Sequence, residues 1–334
     1  MSRLRTAVAA ALLCAAARVQ ALPSFAEVRA AYRPSDITLT GRHGVPLQTL
    51  RVDKQVRRLA WVPLADISPA LLQAVLLSED RRFYEHSGVD WGAVATSAWG
   101  NVWNTKTRGA STLTMQLAGL IDDGLARPGG GRSVGQKIGQ VITAMRLEAG
   151  WKKSEILEAY LNSVAFRGEV VGINALSLTL FGKHPSGLDA QEGAVAAALL
   201  RGPNASVEAV AQRACGVLKL QQASATPGRS DPASAASGGM REAPRADNAC
   251  IGVVALAATS LARKGGMPLG EQLAPHFARQ VIATGGPPVQ RSSLDAGLQR
   301  LASAALRRQL GELSGRNVED GAVVVLDNAS RARR

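Results

Sequence analysis

Between about residue 68 and residue 203, apolar residues recur with a helical period and fall into separate blocks. Leu72, Val75 and Leu76 follow the i, i+3, i+4 spacing of one helical face, and Glu79 takes the next place on it. Leu113, Leu117 and Leu120 mark a second helix, and Val134, Ile138, Val141, Ile142 and Met145 share one side of a third. In Lys152–Asn162 the spacing turns Ile156, Leu157, Tyr160 and Leu161 inward on an amphipathic helix. Asp189, with Glu192 three residues on, forms a capping box ahead of the apolar run Ala194–Leu200. Outside this region the pattern changes. Asp36–Leu39 and Leu47–Val52 read as strands, whereas residues 221–248, rich in Ala, Ser, Gly and Pro, read as a linker or insertion. Asp295 caps a further helix carrying Leu298, Leu301, Leu306, Leu310 and Leu313, and Gly321–Asp327 reads as a buried strand. The pattern predicts a mainly α chain.

Composition narrows the setting. A chain of 334 residues has room for two domains, and its net charge of +13 suits an anionic partner. The arginines are scattered and no nucleic-acid motif appears, so a membrane surface or a phosphorylated substrate is favoured over nucleic acid. Residues 1–21 carry Arg3 and Arg5, the apolar run Ala7–Ala17 and a small-residue point near Val19–Ala21, the layout of a secretory signal. The run is short and Ala-rich for a membrane span. The body of the chain is therefore expected outside the cytoplasm. Cys14 lies in this leader, while Cys215 and Cys250 bracket the low-complexity stretch, where they either pair in an oxidising compartment or stay apart. The four histidines stand singly, so no metal site held by a protein cluster is expected.

The candidate chemistry gathers around Glu79. A carboxylate on an apolar face is costly to ionise, which moves its pKa towards that of a useful general base. Asp80, Arg81, Arg82, Glu85 and His86 follow at once, and charge alone reads this as a helix end laced by ion pairs. Further on, Gly109 permits a tight turn, and Ser111 and Thr112 open a helix with Arg108 just before it, a plausible phosphate seat. Trp91, Trp99 and Trp103 lie in the intervening span and suit either core packing or a bilayer interface.

Five ordered blocks then carry a resemblance. EDRRFYEHSGVD (Glu79–Asp90), GASTLTMQ (Gly109–Gln116), RSVGQKIGQVITAMRLE (Arg132–Glu148), KKSEILEAYLN and FRGEVVGINALSLTLFGK (Phe166–Lys183) resemble the motifs of family 51 glycosyltransferases. These are the peptidoglycan glycosyltransferase domains of class A penicillin-binding proteins. The resemblance implies a lysozyme-like helical domain that polymerises lipid II on the growing glycan strand at the periplasmic face of the inner membrane. It implies Glu79 and Gln140 as catalytic residues. Asp80, Arg81, Ser111, Thr112, Gln116, Arg132, Lys137, Arg146 and Arg167 are implied as substrate contacts. It also implies contact with the membrane and with other cell-wall synthesis proteins, and it allows a divalent cation at the substrate pyrophosphate. Gln140 stands where most relatives have a second glutamate, as it does in 1C-type members; Gly119 and Gly139 stand where relatives commonly place cations. The fourth block is expected to be structural, and Arg167 is expected to meet an acidic partner.

SSLDAGLQRLA and GAVVVLDNAS resemble the opening of a transpeptidase domain, yet no S-x-x-K occurs in the 334 residues. The expected organisation is therefore a leader or anchor (1–21), a lead-in (22–60) and the glycosyltransferase domain (61–215). A linker or insertion (216–290) follows, and then a truncated α/β transpeptidase start (291–334). Two other readings remain open: a non-catalytic remnant that binds lipid II or a partner, and a lysozyme-like glycan hydrolase, which would leave the phosphate-binding features without a purpose.

Overall fold

A computed structural model describes residues 22–95, 111–122, 134–225, 245–263, 270–283 and 285–326. In chain order its principal elements are α1 (Phe25–Ala31), β1 (Asp36–Thr40), β2 (Pro46–Arg51), β3 (Arg57–Arg58), α2 (Pro69–Glu79) and α3 (Leu113–Ile121). They continue as α4 (Val134–Gly150), α5 (Lys153–Ser163), β4 (Val170–Val171), α6 (Ile173–Leu176) and α7 (Ala190–Leu200). Last come α8 (Val207–Ala225), α9 (Arg245–Ala262), α10 (Pro275–Val281), β5 (Val289–Arg291) and α11 (Ala296–Glu312). The chain divides into two units, Met1–Ala31 with Tyr84–Ala159, and Tyr32–Phe83 with Tyr160–Arg334. Of the three points where the chain passes from one unit to the other, the last falls within α5.

In the first unit, α3 packs on α4. The buried side of α4 is Gln140, Thr143, Ala144 and Leu147. Its periodic apolar side is the outer one, since Ile138, Ile142 and Met145 are exposed. Gly88 explains part of this choice. Its φ is +91°, and a Cβ there would lie 2.8 Å from the Ala144 carbonyl oxygen, so the chain at Gly88 rests directly on the α4 backbone. α1 is held by Trp151, whose ring meets Phe25 edge-on at 5.6 Å and whose Nε1 donates to the Pro23 carbonyl at 3.2 Å.

In the second unit, α2, α7, α8 and α9 form the helical body. α2 turns Leu71, Ala74 and Val75 inward, one step round from the face that the sequence suggests, and leaves Leu72 and Leu76 half-buried. It meets α7 closely: a Cβ on Gly193 would lie 3.0 Å from the Leu71 Cα. The Asp189–Glu192 capping box of α7 forms as the spacing predicts. Ile156 and Leu157, in the first unit, and Tyr160 and Leu161, in the second, are fully buried along α5, again as predicted. Cys215 and Cys250 are joined in a disulfide that ties α8 to α9, with Cα atoms 5.1 Å apart.

β2, β1 and β5 form a small sheet in that order, and β3 pairs with β4 in parallel as a separate two-stranded one. β1 and β2 are an antiparallel pair with Ile37 opposite Leu50, while β5 joins β1 in parallel, with Thr38 opposite Val289. Ile37 and Leu39 pack beneath this sheet against Ala278 and Ile282. Beyond β5, Asp295 caps α11 as expected, its carboxylate accepting from the Leu298 N–H at 2.9 Å. Of the buried strand expected over Gly321–Asp327, the described residues 321–326 show none. Residues 321–325 lie outside any strand, and Val323, Val324 and Leu326 are exposed, Val324 at 72%. An apolar run becomes a strand only where neighbours pair with it, and α11, which buries Ala296 alone, offers it no sheet. Among the described residues the structure shows no transpeptidase-like α/β layer here. Among the described residues no helix is long and apolar enough to cross a membrane.

Candidate active site

Glu79 is the last residue of α2, and its side chain is only 10% exposed. Pro69 at the start and the intact ladder to Asp80, whose N–H donates to Leu76 O, keep the helix regular to its end. The carboxylate accepts from Ser78 Oγ at 3.1 Å and lies 3.7 Å from Nε of Arg201. Arg201 is the C-cap of α7, so the packing of α2 on α7 brings the acid and the cation together. The fully buried Tyr160 feels this carboxylate as well: desolvation first, and then the charge of Glu79, hold its phenol well above the usual range. Asp80 is buried at the C-cap, and Arg81 lies exposed with Nε donating to Leu77 O at 3.2 Å. Arg167, in the same unit, donates to the carbonyls of Pro203 and Ala205 at 3.2 and 3.0 Å. Backbone oxygens of the turn after α7 thus take the place of the expected acidic partner.

The first unit holds the second group of candidates. Thr112 caps α3: its Oγ1 accepts from the Met115 N–H at 3.1 Å and donates to Gly88 O at 2.6 Å. Ser111, beside it, accepts from Nζ of the exposed Lys137 at 2.7 Å. A hydroxyl at the start of α3 and a cation from α4 are thus in contact. Gln140 is buried, and its Nε2 donates to Met115 O at 3.2 Å, which ties α4 to the first turn of α3. Gln116 is half-buried on α3, and Arg146 is exposed on α4. Arg108, Gly109, Arg132, Trp99 and Trp103 lie outside the described residues. Trp91 is 62% exposed, which removes core packing as its role.

Two features were not read from the sequence. Glu148, buried on α4, accepts from Thr114 Oγ1 at 2.6 Å and from Lys153 Nζ at 2.7 Å, and Lys153 also donates to His86 O at 2.6 Å. This ion pair fastens α3, α4 and the backbone at His86 together, a role the fourth block gave no hint of. The second is Arg201, since an arginine at a helix C-terminus reads as ordinary dipole compensation. Among the described residues no group of His, Cys, Asp and Glu is placed to hold a metal ion.

The profile of the family described as Transglycosylase matches residues 43–222, over half of the 334 residues. The chain belongs to the transglycosylase family. Its fold is accordingly the mainly helical, lysozyme-like one, and it is a glycosyltransferase domain without the transpeptidase motif. It is 38% identical over 162 residues to the biosynthetic peptidoglycan transglycosylase of Rhodospirillum centenum, covering 48% of this chain and 68% of that protein. It is 40% identical over 144 residues to penicillin-binding protein 1C of Escherichia coli, covering 43% of this chain and 18% of that protein. The crystal structure of penicillin-binding protein 1A from Haemophilus influenzae aligns over 90% of this chain and 33% of its own, at 15% identity and a TM-score of 0.35. That likeness is too loose to carry an argument.

Proposed function

We propose that this transglycosylase domain polymerises lipid II into glycan strands at the periplasmic face of the inner membrane. The observation that carries the reading is a shielded carboxylate, Glu79, held at the end of a rigid helix within the family-matched stretch. In the proposed reaction Glu79 takes the proton from the 4-hydroxyl of the acceptor sugar as that oxygen attacks the anomeric carbon of the donor. The bond from that carbon to the pyrophosphate breaks, undecaprenyl pyrophosphate leaves, and a β-1,4 bond forms with inversion.

Charge grows on the leaving pyrophosphate, so fixed donors aimed at it lower the barrier. Lys137 and Ser111, already in contact, are the proposed pair for this task, with Arg132 and Arg146 as further cations. Thr112 has its hydroxyl engaged in the cap, so its proposed part is to aim the α3 N-terminus rather than to touch substrate. Gln140 likewise positions α3 through Met115 and does not titrate. Asp80, Arg81, Gln116 and Arg167 are proposed to shape the substrate-binding surface. Gln140 in place of a second glutamate, together with the likeness to penicillin-binding protein 1C, supports a 1C-type assignment. Exposed Trp91, Ile138, Ile142 and Met145 on the first unit suit an enzyme that meets a lipid-borne substrate at a membrane.

The test is polymerisation of labelled lipid II in detergent by the purified chain. The parent is expected to lengthen glycan chains, and Glu79→Gln to slow elongation by about 10²–10⁴-fold, the usual contribution of a general base. A Glu79→Gln variant as fast as the parent would remove Glu79 from the chemistry. Because Gly119 and Gly139 supply no cation, one other outcome has a meaning of its own. Binding of lipid II without elongation would identify a capturing, non-catalytic domain.

A further inference from the structure

Three features of Glu79 oppose its ionisation. The side chain is 10% exposed, it ends α2 where the helix dipole is negative, and the buried Asp80 follows it. A base must nevertheless be deprotonated before substrate arrives. We infer that Arg201 is the positioning residue that keeps Glu79 ionised and aimed, its guanidinium on the C-cap of α7 standing 3.7 Å from the carboxylate. The inference rests on the proposed role of Glu79 and adds to it a partner on a different helix.

Among the described residues, the groups placed against Glu79 by the elements around it differ in kind. Ser78 donates a neutral hydrogen bond, and Tyr160 on α5 is buried and held as the neutral phenol. On α7, Glu192 is committed to Lys183 and to the Asp189 N–H. From α8, which also packs on α2, Gln221 donates to Ala70 O at the far end of the helix. Arg201 therefore supplies positive charge where burial and the dipole both act against the carboxylate. Its side chain is 40% exposed, so the guanidinium keeps contact with solvent while it faces the carboxylate.

The experiment is a pH titration of the full chain carrying 13C-labelled glutamate carboxyls, with the Glu79 signal assigned by its loss in Glu79→Gln. Removing a cation within reach raises a carboxylate midpoint, so Arg201→Gln is expected to move the Glu79 midpoint up by about one pH unit. Arg201→Lys, which keeps the charge, is expected to return it towards the parent value. The acid limb of the polymerisation profile is expected to shift upward with it, activity being lost at low pH and recovered at high pH. A general structural defect would instead lower activity at every pH. An unmoved Glu79 midpoint in a folded Arg201→Gln protein would overturn the inference. A parent that fails to elongate chains would count against the proposed function, while the carboxyl titration would still decide the role of Arg201.

Discussion

Two glycines hold backbone that other residues take only at a cost, and each supports a segment next to candidate chemistry. Gly172 has φ +81°, and a Cβ there would stand 2.6 Å from the carbonyl oxygen of Asn162. Asn162 in turn holds Val62 through paired hydrogen bonds of 2.9 Å to its N–H and its carbonyl. Gly172→Ala is therefore expected to destabilise the protein by about 1–3 kcal/mol, read as a lowered denaturant midpoint. A midpoint unchanged from the parent would mean that the backbone there relaxes freely. A glycine set between apolar residues, as Gly172 is between Val171 and Ile173, can be read from the sequence as a place of close approach. Gly88, which meets α4 in the same manner, cannot, because the α4 backbone it touches lies more than fifty residues on. Arg167 shows the same limit. Its charge suggested a carboxylate, but backbone carbonyls satisfied it, and no local pattern announces which acceptors a turn will present.

Helix starts were the most legible parts of the elements. Asp189, Asp295 and Thr112 all cap as their spacing suggests, since a cap depends on a side chain and a backbone N–H two or three residues away. Thr112→Ala removes both the cap and the link to Gly88. It is expected to cost about 1–2 kcal/mol, with Thr112→Ser retaining most of the stability. Thermal unfolding of the two variants checks this, and equal losses in both would assign the role to the methyl group instead. Faces were less legible than starts. On α4 the five apolar residues are the regular set, yet the buried side is built from Gln140, Thr143, Ala144 and Leu147. Small and hydrogen-bonding residues let α3 and Gly88 come close, and periodicity weighs hydrophobicity rather than fit. The exposed run 321–326 fails for a related reason: strand propensity does not provide a pairing partner.

At the scale of the whole molecule, the Cys215–Cys250 disulfide spans a sequence separation of 35 and fastens α9 to the helical body. Replacing both cysteines by serine is expected to lower stability by about 2–4 kcal/mol. A denaturant series with and without reductant checks this, and the parent in reductant should approach the double variant. Coincident curves throughout would show that the bridge contributes nothing to folding. The sequence leaves this pairing open, because residues 221–248 carry no periodicity by which to bring the two cysteines together.

The sheet has a consequence in time. Thr40 and Gln290, bonded side chain to backbone across 250 positions, lie at opposite ends of the order of synthesis. At roughly 5–20 residues per second, β1 waits about 12–50 s for β5 to be made. During that interval the edge that β5 will occupy is open to other strands. A fragment cut at the limits of the family match, residues 43–222, would contain neither β1 nor β5, so β2 would face that hazard permanently.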